Sequence, residues 1–354
     1  MKYPAFLRKN DTIGFVAPSF GCATEPYRTS FLSAIEKWKN LGYGIDLGPN
    51  CFSGDGIGIS NTPKECGKEL TEYYTSKKNQ ILISCGGGEL MCETMSFVDF
   101  EAIKKSEPKW YMGYSDNTNM IFLLTTLCDT AAIYGPCATT FGMEPWHISL
   151  NETMEILEGN RRVVCNYEKW EKEKLRDEEH PLEPYYCTED VKIRAYAPLA
   201  GSCMENLEIQ ETELVSMKGR LIGGCMDCLV NLLGTRFDGV KAFTEKYKED
   251  GFLWFLEACD LNVFGIRRAM WQMEEAGWFQ YIKGFIIGRP LCNGQEMMGL
   301  DQYEAILPIA RKHGVPVIMD ADIGHLPPMM PLVSGSIANV TAKNGKLEIR
   351  MEFK

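Results

Sequence analysis

Short apolar runs alternate with amphipathic stretches through the first 135 or so residues, and no other feature constrains the fold as much. Thr12–Ala17 (TIGFVA) reads as a buried strand that runs into Pro-Ser. From about Tyr27 onward, Phe31, Ile35, Trp38 and Leu41 share one helical face, and Gly42 ends that helix. The region Tyr43–Leu47 predicts a strand, Pro63–Lys77 a helix, and Ile81–Ser84 a strand that enters Cys85-Gly86-Gly87-Gly88. Lys109–Tyr114 predicts the next strand, Asn117–Cys128 a helix, and Ala131–Tyr134 a last strand before Gly135-Pro136. Strands joined by helices over short connections pair in parallel and lie between helical layers. The expected fold class is therefore α/β with a three-layer, mainly parallel sheet.

The chain of 354 residues is longer than most single cores, which points to two domains. Residues 165–190 (CNYEKWEKEKLRDEEHPLEPYYCTED) are highly charged with little apolar periodicity, and read as a linker or a lid in which Trp170 or Tyr185 covers a substrate. Periodic structure then resumes. Gly219–Gly224 leads into a helix from about Met226 to Leu233, Gly251–Ala258 is strand-like, and Ile266–Ala276 is helical. Phe285–Ile287 and Val315–Met319 read as buried strands, and the tail from Pro331 alternates as antiparallel strands do. The expected divisions are 1–160, a connector over 161–190, and 191–354.

A net charge of −11 argues against nucleic acid and anionic membranes as partners. No run of about 18 apolar residues is present, so no membrane-spanning helix is expected. The start, MKYPAFLRKNDTIGF, lacks the pattern of an export leader. With 14 scattered cysteines, reduced thiols in a cytoplasm are the expectation.

The chemistry concentrates at KWYMGYSDNT, residues 109–118, where a lone serine follows a buried strand and precedes a helix. A serine on so sharp a corner projects its hydroxyl beyond the sheet edge, over a helix N-terminus whose open N–H groups favour an oxyanion. Gly113 stands two before Ser115, and Asn117 stands where a second glycine is usual. Asn also accepts unusual backbone angles, and the alternative role for Ser115 or Asp116 is a helix cap. Oxyanion donors would be the Asp116 N–H and one N–H of Gly86-Gly87-Gly88, with Gly87 favoured.

A serine needs a base, and the chain has four histidines. His180 lies in the charged connector, His313 ends a helix, and His147 precedes one. His325 directly follows a buried strand, on a glycine-containing loop (MDADIGHLPP), where parallel sheets build active sites. Glu257 ends GFLWFLE and is the matching acid, with Asp260 its rival. Ser115, Glu257 and His325 then follow the chain order of α/β-hydrolases.

Together these pieces resemble the serine peptidase family that holds cytoplasmic LD-carboxypeptidases and the microcin C self-immunity proteins. The matching motifs are Ala17-Pro18-Ser19, Gly86-Gly87, GYSD with Asn-Thr, YGP at Tyr134–Pro136, LIGGCMDCLVNLLGT at 221–235, FLE at 255–257 and GH at 324–325. The resemblance implies a Ser115-Glu257-His325 triad that hydrolyses an amide bond without cofactor or metal. It also implies a Rossmann-like N-terminal domain, a smaller β-rich C-terminal domain and a homodimer. The implied substrate is a murein L,D-peptide or an aminoacyl nucleotide, bound at Gly86, Gly88 and Trp170. In the immunity branch a loop aromatic stacks on a nucleobase, and Trp170 is the candidate here. Two departures stand out: Cys225-Met226 replaces the family's usual Asn-Leu, and Cys85 stands where the LD-carboxypeptidase branch has Arg.

A terminal carboxylate would need a cation, for which Arg267 or Arg268 is available, although a solvated helix pair explains both. Two other classes compete. Cys225-Met226-Asp227-Cys228 is a CxxC motif opening a helix, as in thiol-redox proteins, but no second pair has zinc-ligand spacing. The other class is a binding protein that keeps the cleft without catalysis.

Overall fold

The computed structural model describes residues 1–199 and 208–353. The chain divides into two compact units. The first holds residues 1–162, 171–187 and 331–334; the second holds 163–170, 188–330 and 335–354. The charged connector 165–190 is thus split between them, with 171–187 in the first unit and the rest in the second.

The first unit is built on a six-stranded sheet. Its strands are Thr12–Val16, Gly44–Leu47, Ile81–Ser84, Trp110–Gly113 and Ala132–Tyr134, all parallel, with Leu332–Ser334 antiparallel at one edge. Ile13 pairs with Ile81, Ile81 with Trp110, and Met112 with Ile133. Ile81–Ser84 and Trp110–Gly113 are buried at every position, as strands covered on both faces must be. The helix Tyr27–Asn40 buries Phe31, Ala34, Ile35 and Trp38, and Trp38 sits 5.0 Å from the Phe15 ring. The helix Pro63–Thr75 begins with Pro at its first turn and Thr62 as its cap, the Thr62 side chain accepting from the Glu65 N–H.

Counted along the chain, the parallel strands lie in the order second, first, third, fourth, fifth. Connections leave the first strand in one direction and the third in the other. In such doubly wound sheets the crevice opens at the carboxyl ends of those two strands. Here those ends are Ala17-Pro18-Ser19 and Cys85-Gly86-Gly87-Gly88.

The second unit is β-rich, with a nine-stranded sheet. Four parallel strands form its centre: Leu214–Cys225, Phe252–Glu257, Ile282–Gly288 and Val317–Ala321. Antiparallel strands complete both sides, including the pair Ile337–Lys343 and Lys346–Glu352. Helices Val263–Glu275 and Gln302–His313 belong to this unit. Asn262 caps the first by accepting from the Gly265 N–H, which starts this helix three residues before the periodicity suggests. Gly314, at φ +62°, ends the second in the left-handed conformation. The fold class is therefore α/β, with a parallel sheet in one unit and a β-rich second unit whose centre is also parallel.

Candidate active site

In the first unit, the strand Trp110–Gly113 ends in a tight 3-10 turn, Ser115–Asn117, which feeds the helix Thr118–Thr126. Ser115 has φ +62°, a left-handed value that a non-glycine residue adopts at a cost of about 1–3 kcal/mol. The surroundings over-determine it. Asn117 donates through Nδ2 to the carbonyls of Gly86 (2.8 Å) and Tyr114 (3.2 Å), while its Oδ1 accepts from the Tyr111 hydroxyl at 2.5 Å. A Cβ on Gly113 would lie 2.8 Å from the Asn117 side chain, so glycine is required there. The Ser115 N–H points to the Tyr134 hydroxyl at 3.4 Å.

Asp116 ties three segments to this corner. Its buried carboxylate accepts from the Ser19 hydroxyl (2.6 Å), the Met91 N–H (2.9 Å) and Asn119 Nδ2 (3.0 Å). Burial pushes its pKa up to about 6 despite those donors. The glycine run is drawn to the serine in the same way. A Cβ on Gly87 would be 3.2 Å from Ser115 Oγ, the Gly87 carbonyl accepts from the Phe20 N–H at 2.7 Å, and Gly88 has Ser19 Oγ where a Cβ would go. Ser115, Asp116, Gly86, Gly87 and Gly88 are thus brought together. The turn's hub is Asn117, which the sequence marks only as a substitute for a glycine.

In the second unit, Glu257 ends its strand and His325 lies in the loop after Val317–Ala321. Glu257 Oε2 and His325 Nδ1 are 2.9 Å apart, with the carboxylate side chain 0% and the imidazole 13% exposed. Burial alone would lower the histidine's pKa; the Glu257 carboxylate and the Cys259 thiol raise it, and they prevail, leaving it well above the usual value. Close backbone packing makes the pocket for this pair. Gly324, at φ +105°, would place a Cβ 2.6 Å from Glu257 Oε2, and one on Gly288 would come 2.9 Å from Glu257 Cβ.

The rival acid is engaged elsewhere. Asp260 donates its N–H to Asp227 and turns a carboxylate oxygen toward Cys259 Sγ, 3.7 Å away. The other histidines are spoken for: His147 accepts from the Ser149 N–H, His180 pairs with Asp177 at 3.1 Å, and His313 with Glu274 at 2.6 Å.

Trp170 is buried within the second unit, with the Arg289 guanidinium 4.6 Å from its ring centroid. Arg289 is itself held by Asp322 at 2.7 Å. One face of the indole is therefore already covered. Tyr185 packs against His147 in the first unit at 5.6 Å. Arg267 donates to the Glu304 carbonyl, and Arg268 is exposed on its helix. In the CxxC motif, the Cys225 thiol is raised well above its usual value by hydrogen bonding to Cys228 and by burial, the wrong direction for a redox nucleophile. Among the described residues no cluster of His, Cys, Asp and Glu is placed to hold a metal ion, and no helix is long and apolar enough to cross a membrane.

Comparison with known proteins assigns both parts of the chain to one family. Residues 13–135 match the LD-carboxypeptidase N-terminal domain and residues 218–340 the LD-carboxypeptidase C-terminal domain. A protein of Treponema pallidum (strain Nichols) named as a carboxypeptidase is 22% identical over 98% of this chain and 94% of its own length. The microcin C7 self-immunity protein MccF of Escherichia coli is 23% identical over 98% of this chain and 95% of its own. A solved structure of MccF in complex with glutamyl sulfamoyl guanosine superposes with a TM-score of 0.78 at 21% identity, covering 99% of this chain and 98% of that one.

Proposed function

The chain belongs to the LD-carboxypeptidase family, and from that premise we propose that it is a serine-type amide hydrolase with Ser115, Glu257 and His325 as its triad. The observation that carries the proposal is the buried 2.9 Å pair of Glu257 and His325. A carboxylate with no exposed surface, turned onto one imidazole nitrogen, fixes the ring and its tautomer and stabilises the imidazolium that forms during catalysis.

Ser115 Oγ attacks the scissile carbonyl as His325 takes its proton. The N–H groups of Gly87 and Asp116 hold the oxyanion, each such donor contributing about 10²–10³ in rate. His325 then gives the proton to the leaving amine, and water repeats the sequence on the acyl-serine. No cofactor or metal enters this scheme.

The substrate is a small amide whose amine half leaves: an aminoacyl nucleotide or a murein tetrapeptide ending in D-Ala. The first is favoured by the similarity to MccF, solved in complex with glutamyl sulfamoyl guanosine. The second is favoured by the family itself. Gly86 leaves room for substrate backbone, since a Cβ there would meet nothing nearer than 3.4 Å; the space beside Gly88 is taken by Ser19, and Trp170 is buried against Arg289, so neither is assigned a substrate contact. Cys225 stands in place of the family's usual Asn, so the contact made there differs from its relatives. We place the enzyme in the cytoplasm as a homodimer, a state that light scattering reads directly.

The test is a mass spectrum after incubation with a muramyl tetrapeptide and an aminoacyl sulfamoyl adenosine, with Ser115→Ala protein alongside. Loss of D-Ala by wild type alone assigns wall-peptide recycling. Release of the amino acid from the nucleotide analogue assigns immunity-type hydrolysis. If neither compound changes, both substrate assignments fall and a binding role replaces them.

A further inference from the structure

The chain that leads to His325 leaves its strand irregularly, and a buried ion pair is built into the irregularity. Pairing between Ile282–Gly288 and Val317–Ala321 shifts register between Ile286 and Gly288, a device that re-aims a strand end. Asp320 sits there at φ +61°, a left-handed value that a residue with a side chain keeps only when its surroundings enforce it. Its carboxylate accepts from Gln302 Nε2 (2.5 Å) and the Tyr303 hydroxyl (2.7 Å), and its carbonyl from Arg289 Nη2 (3.3 Å). The same Nη2 donates to Asp322 Oδ1 at 2.7 Å, between side chains that are 3% and 0% exposed. Asp322 also accepts the Tyr167 N–H through Oδ2 (2.8 Å) and the Met330 N–H on its carbonyl (2.7 Å). The Arg289 N–H donates to the Ala321 carbonyl at 3.0 Å. Gly288, just before Arg289, would place a Cβ 2.2 Å from the Ile323 carbonyl and 2.9 Å from Glu257 Cβ. Arg289 is thus tied to residues 320–322 and follows a close contact with both the acid and the loop that ends in His325.

We propose that Arg289 is the positioning residue of the His325 loop: through Asp322 and the Asp320 carbonyl it fixes the chain so that the imidazole meets Glu257. A buried ion pair is a poor device for stability alone, because desolvating two charges offsets their attraction. This one also leaves Arg289 Nη1 buried without a partner among the described residues. Its use is to select one arrangement of the loop. Trp170 and Tyr167 serve the same end from the connector, the indole lying against the guanidinium and the Tyr167 N–H holding Asp322. The other ionisable groups around the pair are Asp320, Tyr303 and Arg194, whose guanidinium lies 4.9 Å from the Tyr303 ring centroid. Around His325 they are Glu257 and Cys259. That a fixed His325 acts as a catalytic base rests on the hydrolase reading; that Arg289 fixes it does not.

The experiment follows the four histidines of the full-length protein by NMR titration with carbon-13-labelled histidine, His325 being the signal lost in His325→Gln. Glu257→Gln gives the titration of an unpaired ring. Arg289→Met should move the His325 titration to lower pH by at least about half a pH unit, toward the Glu257→Gln value, because the ring loses its carboxylate. Removing a positive charge by itself would move it to higher pH. A rise, or no change in a protein that circular dichroism shows to be folded, would therefore overturn the proposal. His313, paired with Glu274 in the same unit, is the internal reference and should not move. If Arg289→Met does not fold, Trp170→Leu replaces it and alters no charge: a fall for His325 supports the proposal and no change opposes it. Where an amide substrate is cleaved, Arg289→Met should lower kcat at least about tenfold and change KM less than about twofold. A raised KM with kcat unchanged would make Arg289 a substrate contact and overturn the positioning role. The titration stands even if no amide substrate is cleaved, so the two readings fail separately.

Discussion

The serine corner and the acid–histidine pair solve opposite problems. At Ser115 the difficulty is conformational: a residue with a side chain sits at φ +62°, and Asn117, Gly113 and Asp116 hold it there with hydrogen bonds and close packing. At Glu257 the difficulty is electrostatic: a carboxylate with no exposed surface is buried against an imidazole. The corner is maintained by many hydrogen bonds and close contacts, several of them to the Asp116 carboxylate. The pair turns on a charged contact in a buried site, and removing one partner of a buried pair typically costs about 3–5 kcal/mol. Damage should therefore spread gradually around the serine and fall abruptly around the glutamate.

The largest expected effect comes from Ser115→Ala, which should lower kcat by about 10⁴–10⁶ without unfolding the protein, since Ala loses only the hydroxyl. Kinetics on whichever substrate is cleaved, with circular dichroism as the control, checks both halves. Glu257→Gln keeps the shape and removes the charge, and should cost about 10²–10⁴ in kcat/KM. It should also move the acid limb of the pH profile. His325 acts as a base only when neutral, so activity rises as pH climbs through its pKa. In wild type that limb should lie above the usual histidine value of about 6.5, because Glu257 raises it. Without the carboxylate the limb should shift to lower pH while the plateau falls.

Stability gives the next contrast. Gly324→Ala would put a Cβ 2.6 Å from Glu257 Oε2, at a φ that alanine resists, and should destabilise by about 1–3 kcal/mol in urea unfolding. Asp116→Asn should cost about as much, through hydrogen bonds that an amide cannot all accept. It should also change the pH dependence. Asp116 has a folded pKa near 6, raised above its unfolded value, so the folded protein binds this proton more tightly. Its contribution is fully present below the unfolded value near 4 and is lost as pH rises through about 6. The substitution should flatten that part of the stability curve. His180→Ala, at an exposed histidine paired with Asp177, should change neither activity nor stability measurably.

The same contrast explains what the sequence made legible. Strand–helix alternation revealed the parallel sheet, and elimination among the four histidines pointed to His325, which the structure pairs with Glu257. The Glu257 pairing was legible because a charge at the end of FLWFLE needs a partner. Asn117 as the hub was not, because its role depends on carbonyls of Gly86 and Tyr114 that come together only in the folded chain. Nor was the division of the charged connector, whose composition predicts exposure while Trp170 is buried against Arg289. Charge density along a segment says little about the one aromatic side chain it buries.

The most direct measurement is labelling with a fluorophosphonate, read by peptide mass. Ser115 should carry a single stoichiometric adduct, and both His325→Gln and Glu257→Gln should slow its formation by at least about 10² while the protein stays folded. An adduct that forms at Ser115 equally fast without His325, or that forms on another residue, would contradict a triad made of Ser115, Glu257 and His325.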